Sequence, residues 1–226
     1  MLVDFTPGSL EFSGILRSVE RTGLNIDLVI HIGANVGQEL PLYNFFNSDS
    51  IQIEPDPSIF LNLKEECIKY SGENVHLPVN LAISDKNGSI NLHRYEDSCH
   101  NSTLIRDPSW NVSEIVETIP VKSIKFIDFL NAPKFKQFID KKRHIMLVVD
   151  TQGHEPLMLS SLPKFREGCN ILSIYCEVSH KGLYLNNPTF TEINKILEEK
   201  GYLLENVNFG GAAGNALYCG DIFFTP

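Results

Sequence analysis

Along most of this chain, apolar runs of strand length alternate with segments of helical period. The clearest runs are "DLVIHIG" (27–33), "SIQIEP" (50–55), "IMLVVD" (145–150) and "ILSIYCEVS" (171–179), and the first three stop abruptly at a glycine or an acid. A buried strand of a parallel sheet is apolar on both faces, because helices cover both sides, so this alternation predicts an α/β fold of Rossmann-like type. A chain of 226 residues is long enough to bury a large core and is read as one domain over 1–226.

Several segments refine this plan. Leu10, Ile15, Leu16 and Val19 fall near helical spacing before Gly23, which predicts a lead-in helix within 1–25. Helices are expected through "GQELPLYNFF", with Pro41 in the first turn, and over "PSIFLNLKEECIKY". A third strand spans "VHLPVNLAIS", and "DKNG" turns it into "SINLHRY", a hairpin that breaks the simple alternation. Residues 96–113, "EDSCHNSTLIRDPSWNVS", are polar and turn-rich and carry Trp110, the one tryptophan, which makes them the expected substrate loop. An extended "EIVETIPVKSI", a short helix "KFIDFLN", helices at "HEPLMLSSLPKF" and "TFTEINKILEEKG", and a closing strand pair or hairpin in "NALYCGDIFFTP" complete the reading.

Charge and cysteines exclude some partners. The formal net charge is −9, and the densest basic stretch is the short "DKKRH" at 140–144, which argues against a nucleic acid held through its phosphates. No run approaches the roughly 18 apolar residues of a membrane span, and "MLVDFTPGSLEF" is unlike a secretory leader, so a cytoplasmic protein is expected. Cys67, Cys99, Cys169, Cys176 and Cys219 are scattered with no zinc-like spacing, and no metal is expected.

The chemistry concentrates where the first two strands end. Gly33, Ala34, Asn35, Val36 and Gly37 join a buried strand to a helix; the two glycines let backbone pass close under a ligand, and Asn35 tolerates a left-handed turn. Glu54 ends the next strand 21 positions after Gly33, the spacing at which a carboxylate accepts from both hydroxyls of a ribose. A nucleoside site follows. The turn lacks the middle glycine that a pyrophosphate requires, which favours S-adenosylmethionine over a dinucleotide.

With these residues in place, the chain resembles the FkbM-type methyltransferases of the class I S-adenosylmethionine-dependent group. The resemblance rests on an ordered set: "IGANVG", "IEPDP", "LAISDKNGSINL", "VKSIKFIDFL", "LVVDTQGHEPLML", "IYCEVS" and "CGDIFF". It implies a seven-stranded, mostly parallel sheet with a reversed last strand, and methyl transfer to a hydroxyl of a sugar, glycan or related natural product. Carried over by residue, His31, Gly33, Asn35 and Gly37 lie beside the methionine part of the cofactor. Glu54 takes the ribose, Asn80, Leu81 and Ala82 flank the adenine, and Asp150 faces the transferable methyl.

Two positions depart from the family pattern: His31 stands where an aspartate is usual, and Gln152 replaces an acid in "DTQGHE". Asp150, His154 and Glu155 are the expected candidates for a base that takes the acceptor's proton. Two rivals stay open on the residues alone: a nicotinamide-dependent sugar oxidoreductase, and a catalytically silent partner protein with the same fold.

Overall fold

The computed structural model describes residues 15–16, 19–20, 23, 25–109, 114–167, 170–180, 182–185 and 189–220. Seven strands form the main sheet: β1 (Leu28–Ile32), β2 (Asp49–Ile53), β3 (His76–Val79), β7 (Ile145–Val149), β8 (Ile171–Ser179), β9 (Tyr202–Phe209) and β10 (Ala213–Gly220). Their order is β3-β2-β1-β7-β8-β10-β9. The pairs from β3 to β8 are parallel, and β10 runs antiparallel to both β8 and β9, so the reversed last strand is present.

Side-chain alternation divides the core into two layers. Leu28, Ile30 and Ile32 of β1 and Ile145, Leu147 and Val149 of β7 pack on one face, with helices α3 (Phe126–Asn131), α4 (Pro133–Ile139), α5 (Glu155–Ser160) and α6 (Phe190–Glu198) contributing to the same cluster. Val29, Met146 and Val148 point the other way, against Leu40, Leu42 and Tyr43 of α1 (Leu40–Phe45) and Leu63 and Cys67 of α2 (Pro57–Tyr70). Each such large apolar side chain contributes about 1.5–3 kcal/mol when buried, so the central strands hold the molecule from both sides.

The expected third strand divides in two. Pro78 has no N–H to donate and is tolerated because β3 is an edge strand. Past Val79 the Asn80 side chain donates to the carbonyls of Glu54 (2.9 Å) and Pro55 (3.0 Å), drawing the chain across the end of β2. The remainder, β4 (Ala82–Ser84), joins β5 (Gly88–Tyr95) and β6 (Ile115–Lys125) in a separate three-stranded sheet of order β4-β6-β5, so β6 lies between β4 and β5 and the hairpin expected across "DKNG" does not form.

Other expectations shift in detail. The helix expected over 154–165 stops at Ser160, short of Pro163, whose ring disfavours helical backbone at the residue before it. Helix α4 is not among the expected elements: Pro133 starts it, and Phe135 and Ile139, four apart, are buried. Helix α6 begins at a capping box of Thr189 and Glu192, as "TFTE" suggests. Of the lead-in helix, residues 15–16 and 19–20 are helical and Gly23 donates to the Val19 carbonyl at 3.2 Å; most of 1–25 lies outside the described residues. Of the closing pair expected within 215–226, the described residues show one strand, the end of β10; its partner β9 precedes that stretch, and 221–226 lie outside the described residues. Among the described residues, no helix is long and apolar enough to cross a membrane.

The tightest point of the sheet is the junction of β1 and β7. Gly33 has φ +85°, and a Cβ placed on it would lie 1.7 Å from the backbone oxygen of Asp150. Besides the room for a ligand expected of it, this glycine gives room to the end of the neighbouring strand. Gly33→Ala combines a left-handed alanine with an overlap that only backbone movement relieves. It is expected to cost about 2–5 kcal/mol, read as a lower urea midpoint; a loss under about 1 kcal/mol would show that the two strand ends separate easily.

Candidate functional site

The ends of β1, β2 and β7 open into one pocket of about 260 Å³. His31, Gly33, Asn35, Glu54, Leu81, Ala82, Asp150 and His154 line it, so most of the residues singled out in the sequence are brought together. Gly37, Asn80 and Glu155 are not in that lining. A Cβ on Gly37 would meet Leu40 and Leu63 at 2.8 and 2.9 Å, so its small size serves the packing of α1 on α2. Asn80 braces the strand ends, as described above.

Asn35 has φ +46°, the left-handed turn expected of it, and its backbone N–H donates to Glu54 Oε2 at 3.0 Å. Glu54 Oε1 accepts from the N–H of Asp56 at 2.8 Å. The carboxylate is thus held by two backbone donors, one from each side of the β2 end, and each oxygen keeps a further lone pair. Burial outweighs these bonds and raises its pKa to about 7.

Asp150 ends β7, where burial raises its pKa against the lowering effect of Gln152, whose amide donates to Asp150 Oδ1 at 2.6 Å. The same amide reaches Glu177 Oε2 at 3.2 Å, and Tyr184 Oη donates to Gln152 Oε1 at 2.8 Å. Gln152, at φ +53°, therefore bridges two carboxylates as a neutral donor.

His154 is 6% exposed. Its Nδ1 lies 2.7 Å from Thr103 Oγ1 and its Nε2 3.0 Å from Ser84 Oγ, and burial lowers its pKa to about 4. At neutral pH it is an uncharged imidazole with both nitrogens engaged. Glu155 turns its Oε1 to the N–H groups of Thr151 (2.7 Å) and Gly153 (3.2 Å) and to Thr151 Oγ1 (3.0 Å). It sits under the turn after β7, outside the lining of the main pocket.

One oxygen each of Asp150, Glu155 and Glu177 lie within 4.8 Å of one another. The Gln152, Thr151 and Gly153 donors already engage this group, and nothing further marks it as a metal site.

The loop 96–109 closes over the pocket through specific bonds. Asn101 accepts from the Tyr95 N–H at 2.9 Å and donates to Asp56 Oδ2 at 3.2 Å; Ser102 Oγ donates to the Gln152 carbonyl at 2.6 Å. Asp56 also caps α2 through the Ser58 N–H and receives Arg94 Nε and Nη2 at 2.7 and 2.6 Å. The "HNST" stretch therefore acts as a clasp. Trp110 lies outside the described residues.

Sequence reasoning misses Glu39, Ile59, Ile90, Leu92 and Cys99, all of which line the pocket. Only the alternation "SINL" hints that Ile90 and Leu92 share a face.

The lining's charge decides between nucleoside ligands. It contains the carboxylates of Glu39, Glu54 and Asp150, and among the described residues it contains no lysine or arginine. A pyrophosphate would be repelled there, whereas S-adenosylmethionine carries a sulfonium and an ammonium. An orphaned atom points the same way: His31 is 1% exposed, and its Nε2 has no hydrogen-bond partner while the residue faces the pocket. Apolar Ile59, Leu81, Ile83, Ile90 and Leu92 suit the flat faces of an adenine. The residues present fit the cofactor.

A family model described as "Methyltransferase FkbM domain" matches residues 31–204. No curated protein matches the chain. Among solved structures, the magnesium protoporphyrin IX methyltransferase (ChlM) from Synechocystis PCC 6803 with bound SAM superposes with a TM-score of 0.51 at 10% identity, over 92% of this chain and 77% of that one. The same enzyme with bound SAH gives 0.51 at 10%, over 92% and 81%. A putative methyltransferase, yhhF from Escherichia coli, gives 0.47 at 11%, over 95% and 87%. At such identities the first two establish a shared fold.

Replacing Arg94 tests the clasp. Arg94→Met leaves the buried Asp56 carboxylate without its cation and is expected to cost about 1.5–3 kcal/mol of stability. Faster amide hydrogen exchange should follow at Asn101 and Ser102; unchanged exchange there would show that Asp56 does not hold the loop.

Proposed function

The chain belongs to the FkbM methyltransferase family, whose cofactor is S-adenosylmethionine, and on that premise we propose that it methylates a hydroxyl of a sugar, glycan or related natural product. The single observation that carries the site assignment is the acid-lined, cation-free pocket at the ends of β1, β2 and β7. A second hollow, of about 460 Å³, supports a polyhydroxylated acceptor. It shares Ile90, Thr103 and His154 with the first pocket and is otherwise lined largely by Ser84, Asp85, Lys86, Ser89, Asn91 and His93. Such a wall offers both donors and acceptors beside the apolar side chains of Ile90, Leu104 and Leu157. The whole chain serves as one unit in this reading, with 96–113 as the substrate loop.

When bound, the cofactor supplies a methyl group on a sulfonium sulfur, which a nucleophile displaces in line. The chain's own part is alignment and proton handling. Glu54 accepts the ribose hydroxyls on the lone pairs left free by Asn35 and Asp56. The apolar wall of Ile59, Leu81 and Ala82 takes the adenine, and the Asn101–Thr103 clasp keeps water out. Holding donor and acceptor in register contributes several kcal/mol, up to about 7–11.

Asp150 is the base in this scheme. It lines the pocket, and burial raises its pKa toward the range in which a carboxylate accepts a proton from a hydroxyl as the new C–O bond forms. His154, neutral and held between two hydroxyls, positions Thr103 and Ser84 where the two hollows meet.

Two experiments test this reading. Incubation with methyl-labelled cofactor and a panel of free sugars and glycans should place the label on oxygen, and Asp150→Asn should lower turnover by about a hundredfold or more. Label found only on nitrogen or carbon overturns the hydroxyl assignment.

The second uses 5′-methylthioadenosine, which carries the ribose without an amino acid. The ribose hydroxyls favour the ionised carboxylate, so binding displaces the proton that burial retains on Glu54 up to about pH 7. Affinity should therefore rise up to about tenfold per unit as pH climbs toward 7, then level off. Glu54→Gln should flatten that profile and weaken binding about tenfold to a hundredfold; an unaltered profile would remove Glu54 from the ribose.

A further inference from the structure

Glu39 is a buried acid that no lysine or arginine among the described residues pairs with. It is 4% exposed, stands just ahead of α1 and lines the main pocket. The basic side chain within ion-pair distance is His31, whose Nδ1 lies 4.0 Å from Glu39 Oε2, and among the described residues no lysine or arginine pairs with it. His31 does not serve as the counter-ion: burial depresses its pKa to about 3, and its Nδ1 is 3.0 Å from the Tyr43 hydroxyl. Burial destabilises the carboxylate and the nearby Asp150 charge adds to this, against the smaller lowering effect of a hydrogen bond from its own backbone N–H, leaving its pKa at about 7. A buried carboxylate left in this state is costly unless a ligand brings the positive charge.

The same pocket is lined by apolar Ile59, Leu81, Ile83, Ile90 and Leu92, by Glu54 at the end of β2, and by His31 and Glu39, with Asp150 near enough to Glu39 to act on its charge. A ligand with a flat apolar head, a diol and a charged amino-acid tail matches these three groups. Resting on the nucleoside reading given above, we propose that Glu39 is the anchor for the α-ammonium of the cofactor's methionine moiety, with neutral His31 beside it offering its free Nε2 to the same moiety. The acid at the methionine end is then supplied from the start of α1 instead of from β1, where His31 stands.

Ligand truncation tests this without depending on any variant. At pH 8 the unmodified full-length protein is titrated calorimetrically with S-adenosylhomocysteine, with its deaminated analogue and with 5′-methylthioadenosine. Loss of the ammonium should weaken binding about tenfold to a hundredfold, the range of a hydrogen-bonded charge pair at a buried site. Glu39→Gln should weaken S-adenosylhomocysteine by a similar factor, abolish the difference between it and the deaminated analogue, and leave 5′-methylthioadenosine unchanged. Equal binding of the two amino-acid ligands to the unmodified protein overturns the proposal while leaving the nucleoside site intact. Uniform weakening of all three ligands by Glu39→Gln overturns it as well. If 5′-methylthioadenosine fails to bind the unmodified protein, the nucleoside reading falls and this proposal with it.

Discussion

Everything in this molecule is arranged around the contact between the first and fourth strands of the main sheet, where a residue without a side chain meets a backbone oxygen. The Asp150 N–H donates to the Ile32 carbonyl at 3.0 Å, and the Gly33 and Ala34 N–H groups both reach the Ile53 carbonyl, at 2.9 and 3.0 Å. Three strand ends are thereby tied at one point. The turn of Asn35, the carboxylate of Glu54 and the carboxylate of Asp150 take their positions from that knot, so the geometry of the pocket belongs to the sheet rather than to loops.

Local signals explain which parts of this are legible in the sequence. The apolar runs of β1, β2, β7 and β8 and the left-handed Asn35 follow from strand burial and turn sterics, which act over a few residues. Glu54 is found by its spacing from Gly33, because two adjacent parallel strands joined by one helix fix that distance. What stays hidden depends on tertiary neighbours. Nothing near Gly33 in the chain announces that Asp150, far away in sequence, presses on it. The departure of β4 from the main sheet turns on an Asn80 side chain that reaches back to Glu54 and Pro55. Nothing in the local pattern around Glu39, the residue just ahead of α1, shows that it faces inward.

Electrostatics gives the site its character. Glu39, Glu54 and Asp150 are each driven by burial toward a higher pKa, so the free pocket holds negative charge under strain. His31 and His154 are driven the opposite way and remain neutral, so they offer no relief. Among the described residues, the lining holds no lysine or arginine to balance these carboxylates. On the reading proposed above, such a pocket would favour a cationic ligand and disfavour one that brings phosphate.

The turn after β7 carries one more implication. Gln152 gives its carbonyl to Ser102 and its side-chain oxygen to Tyr184, and His154 is held between Thr103 and Ser84. Separate stretches of chain therefore meet on the two polar residues flanking Gly153. On the reading proposed above, lifting the clasp to exchange cofactor would break these hydroxyl contacts and loosen the wall beside Asp150 in the same motion.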